Sequence, residues 1–286
     1  MTDAGLQVVL KLNQIANTCG QVLLAPLHVL SELTGMVLVS VVSGLLLLIA
    51  FKYTSNQSAI KRVRDGIKAD MLALSLFKDS MFVSLRSQFR IVLGAFKLIA
   101  LSLVPILCMA VPVTLLLGQL SLWWQHRPLL RGEEAVVTLR LKPLASSVDS
   151  RPPWPSVEFD PAPAAVVTVG PVRIPSKREI CWNVQANADG DHPLQFHVDG
   201  HMFSKEIAIG ERVMRVSQQR PQQTWMAMLT HPAEAPFDAS SPVQSIEIQY
   251  PTRTSRGTGG QLWPVYWFIA SSIVAFSLRG VFRVQM

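Results

Sequence analysis

The side chains best placed to do chemistry are His192, His197, Asp199 and His201. On an extended strand His197, Asp199 and His201 fall on one face, a spacing that could gather imidazole and carboxylate around a metal ion. The pair Asp199-Gly200 also reads as a tight hairpin turn, which sets His197 and His201 across from each other at the surface. The turn is the better reading, so no metal ligand is assigned. No nucleophile lies in a recognisable frame with a base, no glycine-rich loop is spaced to cradle phosphate, and no carboxylates pair for acid–base work. The sequence therefore assigns no catalytic residue and no cofactor, and the expectation is a protein that is not an enzyme. Cys19, Cys108 and Cys181 are too scattered for a disulfide framework, and no disulfide is expected.

A second constellation is softer. Between Lys52 and Lys97 the chain carries Lys61, Arg62, Arg64, Lys68, Lys78, Arg86 and Arg90 against Asp65, Asp70 and Asp79. Ser58 can cap a first helix there, in which Ile60, Val63, Ile67, Met71 and Leu74 follow at three- and four-residue spacing. A turn near Lys78–Ser80 leads into Met81, Phe82, Leu85 and Phe89, with Arg86 and Arg90 one turn apart. This is a basic amphipathic hairpin arm, and two uses fit it. In one, the apolar face lies on the bilayer while Arg and Lys meet headgroups, Lys97 snorkelling from the end of its segment. In the other, Met71, Met81 and Phe82 form an adaptable apolar surface that receives hydrophobic segments of varied sequence, with Arg90 and Lys97 at the edge of a hydrophilic groove.

The elements around the arm follow from hydropathy. Hydrophobic residues make up 49% of the 286-residue chain and charged residues 16%, and the mean hydropathy is +0.31. That is too apolar for an ordinary water-soluble domain. A helix needs about 20 apolar residues to cross a bilayer, and three segments offer this: 33–51, 98–124 with Pro105 and Pro112 as kinks and Trp123-Trp124 as an interfacial pair, and 257–278. The last opens on Trp263, Tyr266 and Trp267 and closes on Arg279 and Arg283. Short cytoplasmic loops carry the excess of Lys and Arg, so residues 52–97 and the tail 279–286 are expected inside, with the N-terminus outside. Residues 125–256 hold fourteen basic and fourteen acidic side chains. The whole surplus of +7 thus reports topology, and no nucleic-acid partner is expected.

Met1-Thr2-Asp3 has no basic region typical of an export signal. Leu6, Val9, Leu10, Leu12, Ile15 and Ala16 instead mark an amphipathic helix within 1–32. It lies along the outer interface, or it packs on the protein's own outer domain. The absence of organelle-targeting signals and the compact loops favour a bacterial cytoplasmic (inner) membrane.

Residues 125–256 change character. Candidate strands are 135–141, 165–169, 179–186, 194–198, 202–209, 212–217 and 243–249, separated by Pro-, Gly- and Asp-rich turns, including one at Asp189-Gly190-Asp191. Alternation without intervening helical patterns predicts an all-β, immunoglobulin-like antiparallel sandwich outside the membrane. The fold class expected is thus a membrane protein with three transmembrane helices plus an extracytoplasmic β-sandwich.

An apolar first segment, a basic helical arm from Lys61 to Arg90, a second segment, an outer connection and a final segment from Trp267-Phe268 to Ser277-Leu278-Arg279-Gly280-Val281-Phe282 resembles the YidC-type membrane protein insertase superfamily. The likeness is greatest to the third subunit of the endoplasmic reticulum membrane protein complex and its prokaryotic relatives. The resemblance implies a half-open hydrophilic groove lined or gated by Arg90, Lys97 and Arg279, with Met71, Met81 and Phe82 receiving client membrane proteins. Membrane lipids and client segments are the implied partners, and no cofactor is implied. Two features depart from the pattern: 33–51 carries no basic residue, and the β domain lies between the second and third apolar segments. The competing expectation is a membrane-anchored scaffold or assembly subunit whose outer β domain docks partner proteins.

Overall fold

The computed structural model describes residues 3–26, 30–77, 80–143, 154–161, 163, 165–254, 260–282 and 284. Lys78, Asp79 and Arg283, read above as part of the basic arm and tail, lie outside the described residues, as do 257–259 at the start of the last apolar segment. The chain divides into two compact units, Met1–Gly35 with Thr114–Pro264 and Met36–Val113 with Val265–Met286.

The second unit is helical. α2 (Glu32–Thr54) and α4 (Met81–Trp124) are long and apolar enough to cross a membrane. α4 runs as a single helix of 44 residues through Pro105 and Pro112 and through the boundary drawn at Lys97. The arm's second helix and the second apolar segment are therefore one element. The third apolar segment forms α6 (Trp263–Leu278), a helix of 16 residues. α3 (Gln57–Leu76) makes the other half of the arm. Its cap is Asn56 rather than Ser58: the Asn56 side chain accepts from the Ala59 amide at 3.1 Å, and Ser58 only donates to Asn56 Oδ1 at 2.9 Å. The asparagine stands at the position from which an oxygen can reach the third helical amide.

The first unit carries a β-sheet domain, together with α1 (Asp3–Leu24) and the last turns of α4. Its strands are β1 (Glu134–Leu141), β2 (Val157–Asp160), β3 (Ala165–Ile174), β4 (Glu179–Ala186), β5 (Gly190–Val198), β6 (His201–Ile209), β7 (Gln219–Arg220) and β8 (Val243–Ile248), with a short helix α5 (Trp225–Thr230) before β8. They form two sheets, ordered β3-β4-β1-β8-β7 and β2-β5-β6, and every pairing is antiparallel. Strict alternation on β1 buries Val137, Leu139 and Leu141 in the same core as Phe196 and Val198 of the smaller sheet. Phe159, Trp182 and Phe196 meet there with ring centroids 4.7–5.8 Å apart, the spacing at which aromatic pairs attract.

Three further sequence expectations change. Residues 212–217 form no strand. The segment at Asp189-Gly190-Asp191 is no hairpin, because β4 and β5 belong to different sheets. Trp123 and Trp124 are not a headgroup-facing pair; both are buried in the first unit, at 3% and 1% exposure.

Candidate functional site

The arm's geometry begins at a glycine. A Cβ on Gly94 of α4 would stand 2.7 Å from Ile67 Cγ1 of α3, so only glycine lets the two helices approach this closely without displacing Ile67. Beside this contact a cavity of about 580 Å³ is lined by Arg62, Val63 and Asp70 of α3 and by Arg90, Leu93 and Lys97 of α4. Arg90 and Asp70 stand 3.8 Å apart, with the arginine side chain 59% exposed. So exposed a pair contributes about 0–1 kcal/mol. It leaves the cavity with three basic groups against one acid.

This is where the sequence-assigned residues fall. Arg90 and Lys97 are brought together on one cavity, and Arg62, passed over as one charge among many, joins them. Its signal was available, since Arg62 and Asp70 sit eight residues apart, close to two helical turns and so on one face. Arg279 does not line the cavity; its guanidinium stands 5.9 Å from the Phe276 ring. Met71, Met81 and Phe82 also lie off the cavity, and all three are exposed.

A polar seam joins α2 to α6. Ser43 Oγ lies 3.2 Å from Ser271 Oγ and accepts from Trp267 Nε1 at 2.9 Å. A Cβ on the adjacent Gly44 would come within 2.7 Å of the Ser271 carbonyl oxygen. Small residues let helix backbones approach and their hydroxyls bond across. The sequence signal was the cluster Ser40, Ser43 and Gly44 inside an otherwise aliphatic run.

In the β unit the buried chemistry centres on Lys205. Its ammonium is wholly buried and donates to the Ser217 carbonyl at 2.6 Å, to Ser217 Oγ at 3.0 Å and to Glu234 Oε1 at 2.5 Å. Ser217 Oγ in turn donates to the same carboxylate. Burial pushes the Lys205 ammonium below its ordinary value, against the pull of Glu234. Ser217 also borders a cavity of about 400 Å³, with His126, Gln218 and His231 around it. Burial lowers both histidines, and the charge of Glu247 opposes this in each case.

The histidines read from the sequence do not converge. Asp199 and Gly200 form the β5–β6 turn with φ of 48° and 78°, but the register pairs Val198 with His201 and His197 with Met202. His197 and His201 are thus not opposite each other. Among the described residues no group of three His, Cys, Asp or Glu side chains could hold a metal ion. Cys19, Cys108 and Cys181 are free thiols. No protein-family model, curated protein or solved structure matches the chain.

Proposed function

We propose that this chain is an insertase-like membrane-protein biogenesis factor, offering a hydrophilic groove to client transmembrane segments. The observation that carries the reading is the convergence of Arg62, Arg90 and Lys97 on one arm cavity, immediately before the long apolar stretch of α4. A polar client tail would enter among these charges while its apolar segment partitions into lipid, which supplies the driving force without nucleotide or metal.

In this reading α6 is a third span. At about 1.5 Å per residue its 16 residues cover about 24 Å, short of the roughly 30 Å hydrocarbon core. Its hydrogen bond to Ser43 and the close approach at Gly44 support a membrane pairing with α2. The excess of basic residues on the arm supports an inside arm, an outside N-terminus and β unit, and an inside tail. The bacterial inner membrane is the setting proposed. The two sheets over one core, with Trp182 between them, support an immunoglobulin-like sandwich.

The test is insertion into liposomes holding the purified protein, using a client with a short N-terminal tail that must cross outward. The wild type speeds insertion, and Arg90→Glu with Lys97→Glu abolishes the gain. Unchanged insertion by the double variant would sink the reading. A second reading, a scaffold that docks partners through the β unit, draws on edge strand β3, where Val166, Val169 and Val172 are exposed. It wins if deleting 131–256 removes all biological effect while the charge reversals change nothing.

A further inference from the structure

Helix α1 has three faces rather than two. At 100° per residue the side chains sort into sectors centred roughly 120° apart. Asn13, Gly20 and Leu24 are buried, with Ala16 and Asn17 partly buried beside them. Val8, Leu12, Ile15, Cys19 and Val22 form an exposed apolar stripe. Gln7, Lys11, Gln14, Thr18 and Gln21 form an exposed polar one.

The face turned to the protein is the asparagine face. Asn13 Nδ2 donates to the Met228 carbonyl at 3.3 Å and Asn17 Nδ2 to the Ala233 carbonyl at 3.0 Å, while Asn17 Oδ1 accepts from Gln119 at 3.4 Å and from Arg215. A Cβ on Gly20 would stand 2.7 Å from Gln119 Oε1. The aliphatic stripe points away from these contacts, with Ile15 62% and Val22 70% exposed. A helix in water turns such a stripe inward. One face each for protein, apolar medium and water is the arrangement of a helix held where those three meet.

We propose that α1 lies in the lipid–water interface of the leaflet beside the β unit, clamped to that unit by Asn13 and Asn17, with the Val8–Val22 stripe among the acyl chains. Three observations select lipid as the occupant. The stripe is built of bulky aliphatics, whereas helix partners in membranes select small residues. α5 packs on α1 and exposes Trp225 and Met226, and tryptophan favours the headgroup level. Finally, α1 touches Gln119, one turn from the end of α4, and the first residue of α2, Glu32, is paired with Arg253 in the same unit. α1 is thereby held, within its own unit, beside residues from which both long apolar helices run on. The proposal rests on reading those helices as membrane spans.

The native cysteines test it. Full-length protein bearing a single bimane on Cys19 (Cys108→Ser, Cys181→Ser), on Cys108 (Cys19→Ser, Cys181→Ser), or on Thr18→Cys with all three native cysteines as serine is reconstituted in phosphatidylcholine–phosphatidylglycerol vesicles. Shallow spin-labelled lipid should quench Cys19, aqueous iodide should quench Thr18→Cys, and deep spin-labelled lipid should quench Cys108. Iodide reaching Cys19 as readily as Thr18→Cys, with Cys108 still lipid-quenched, overturns the proposal and spares the spans. So does a Cys19 shielded from both quenchers and cross-linked between two copies by a bismaleimide. Iodide reaching Cys108 overturns the spans and the proposal together. The readout needs no insertion activity, so failure of the insertase reading would leave it standing.

Discussion

Lys205 and Glu234 meet at 2.5 Å inside the β unit, the lysine side chain fully buried and the glutamate 10% exposed. Between them they tie β6 to an irregular segment that follows α5, with Ser217 bonded to both. Removing one partner strands the other charge. Glu234→Gln should therefore destabilise the β unit by about 3–5 kcal/mol, whereas the double change Lys205→Met with Glu234→Gln should recover much of that loss. Near-UV circular dichroism melts of the detergent-solubilised protein would compare the two.

The histidine pair gives a pH dependence with a defined sign. Burial holds His126 and His231 below the ordinary 6.5, so on acidification the unfolded chain takes up protons before the folded one. Their contribution to stability is full above about 6.5 and is lost as the pH falls through the depressed folded values. The surrounding charges are Glu247, which opposes the shift in both, and Lys205 and His126, which add to it at His231. The melting temperature of the β unit should fall between pH 7 and 5, and His126→Gln with His231→Gln should flatten that slope. An equal slope in the double variant would contradict the assignment.

At the α2–α6 seam the tolerance is close to nil. A Cβ on Gly44 would meet backbone, the Ser271 carbonyl at 2.7 Å and its Cα at 3.1 Å, and backbone cannot rotate aside as a side chain can. Gly44→Val should part the helices. With the native cysteines changed to serine, Ser43→Cys and Ser271→Cys should form a disulfide on mild oxidation, and adding Gly44→Val should prevent it.

The β5–β6 turn offers a cleaner backbone test. Gly200 has φ of 78°, and a Cβ there would touch nothing within 4 Å. Gly200→Ala should thus cost about 1 kcal/mol from conformation alone, and Gly200→Asn less. Equal melting temperatures for the alanine variant and the wild type would remove the argument.

The apolar runs of α2, α4 and α6 were legible because hydropathy is summed over many residues, and the alternation of β1 and β4 located the core of the larger sheet. Short elements escaped. β2 spans four residues and β7 two, too few for a period to register, and α5 has only six residues, packed on α1. Residues 212–217 read as a strand on the short apolar content of Val213, Met214 and Val216, without a clean period of two. Their bonds go elsewhere: the Val216 amide donates to the Leu122 carbonyl at 2.8 Å, and Arg215 reaches Asn17. Lys205 was visible in part, since it is in phase with Ile207 and Ile209 on the inward face of β6, but its partner lies 29 residues on in a segment without regular structure. At the arm, Arg90 and Lys97 could be named from their type and place in the sequence, and both line one cavity, whereas Arg279 was carried to the site by resemblance alone and does not line it.

The contact between Ser43 and Ser271 spans 228 positions of sequence. At roughly 5–20 residues per second of synthesis, α6 emerges roughly 10–45 s after α2. Through that interval Ser43 lacks the hydroxyl and indole it will finally bond, and the whole β unit is made before they arrive. The helical unit is therefore closed by its last-made element. A chain cut short anywhere within the β unit leaves the Ser43 hydroxyl with only its bond to the Ser40 carbonyl of its own helix, and α2 without the cross-helix bonds that α6 supplies.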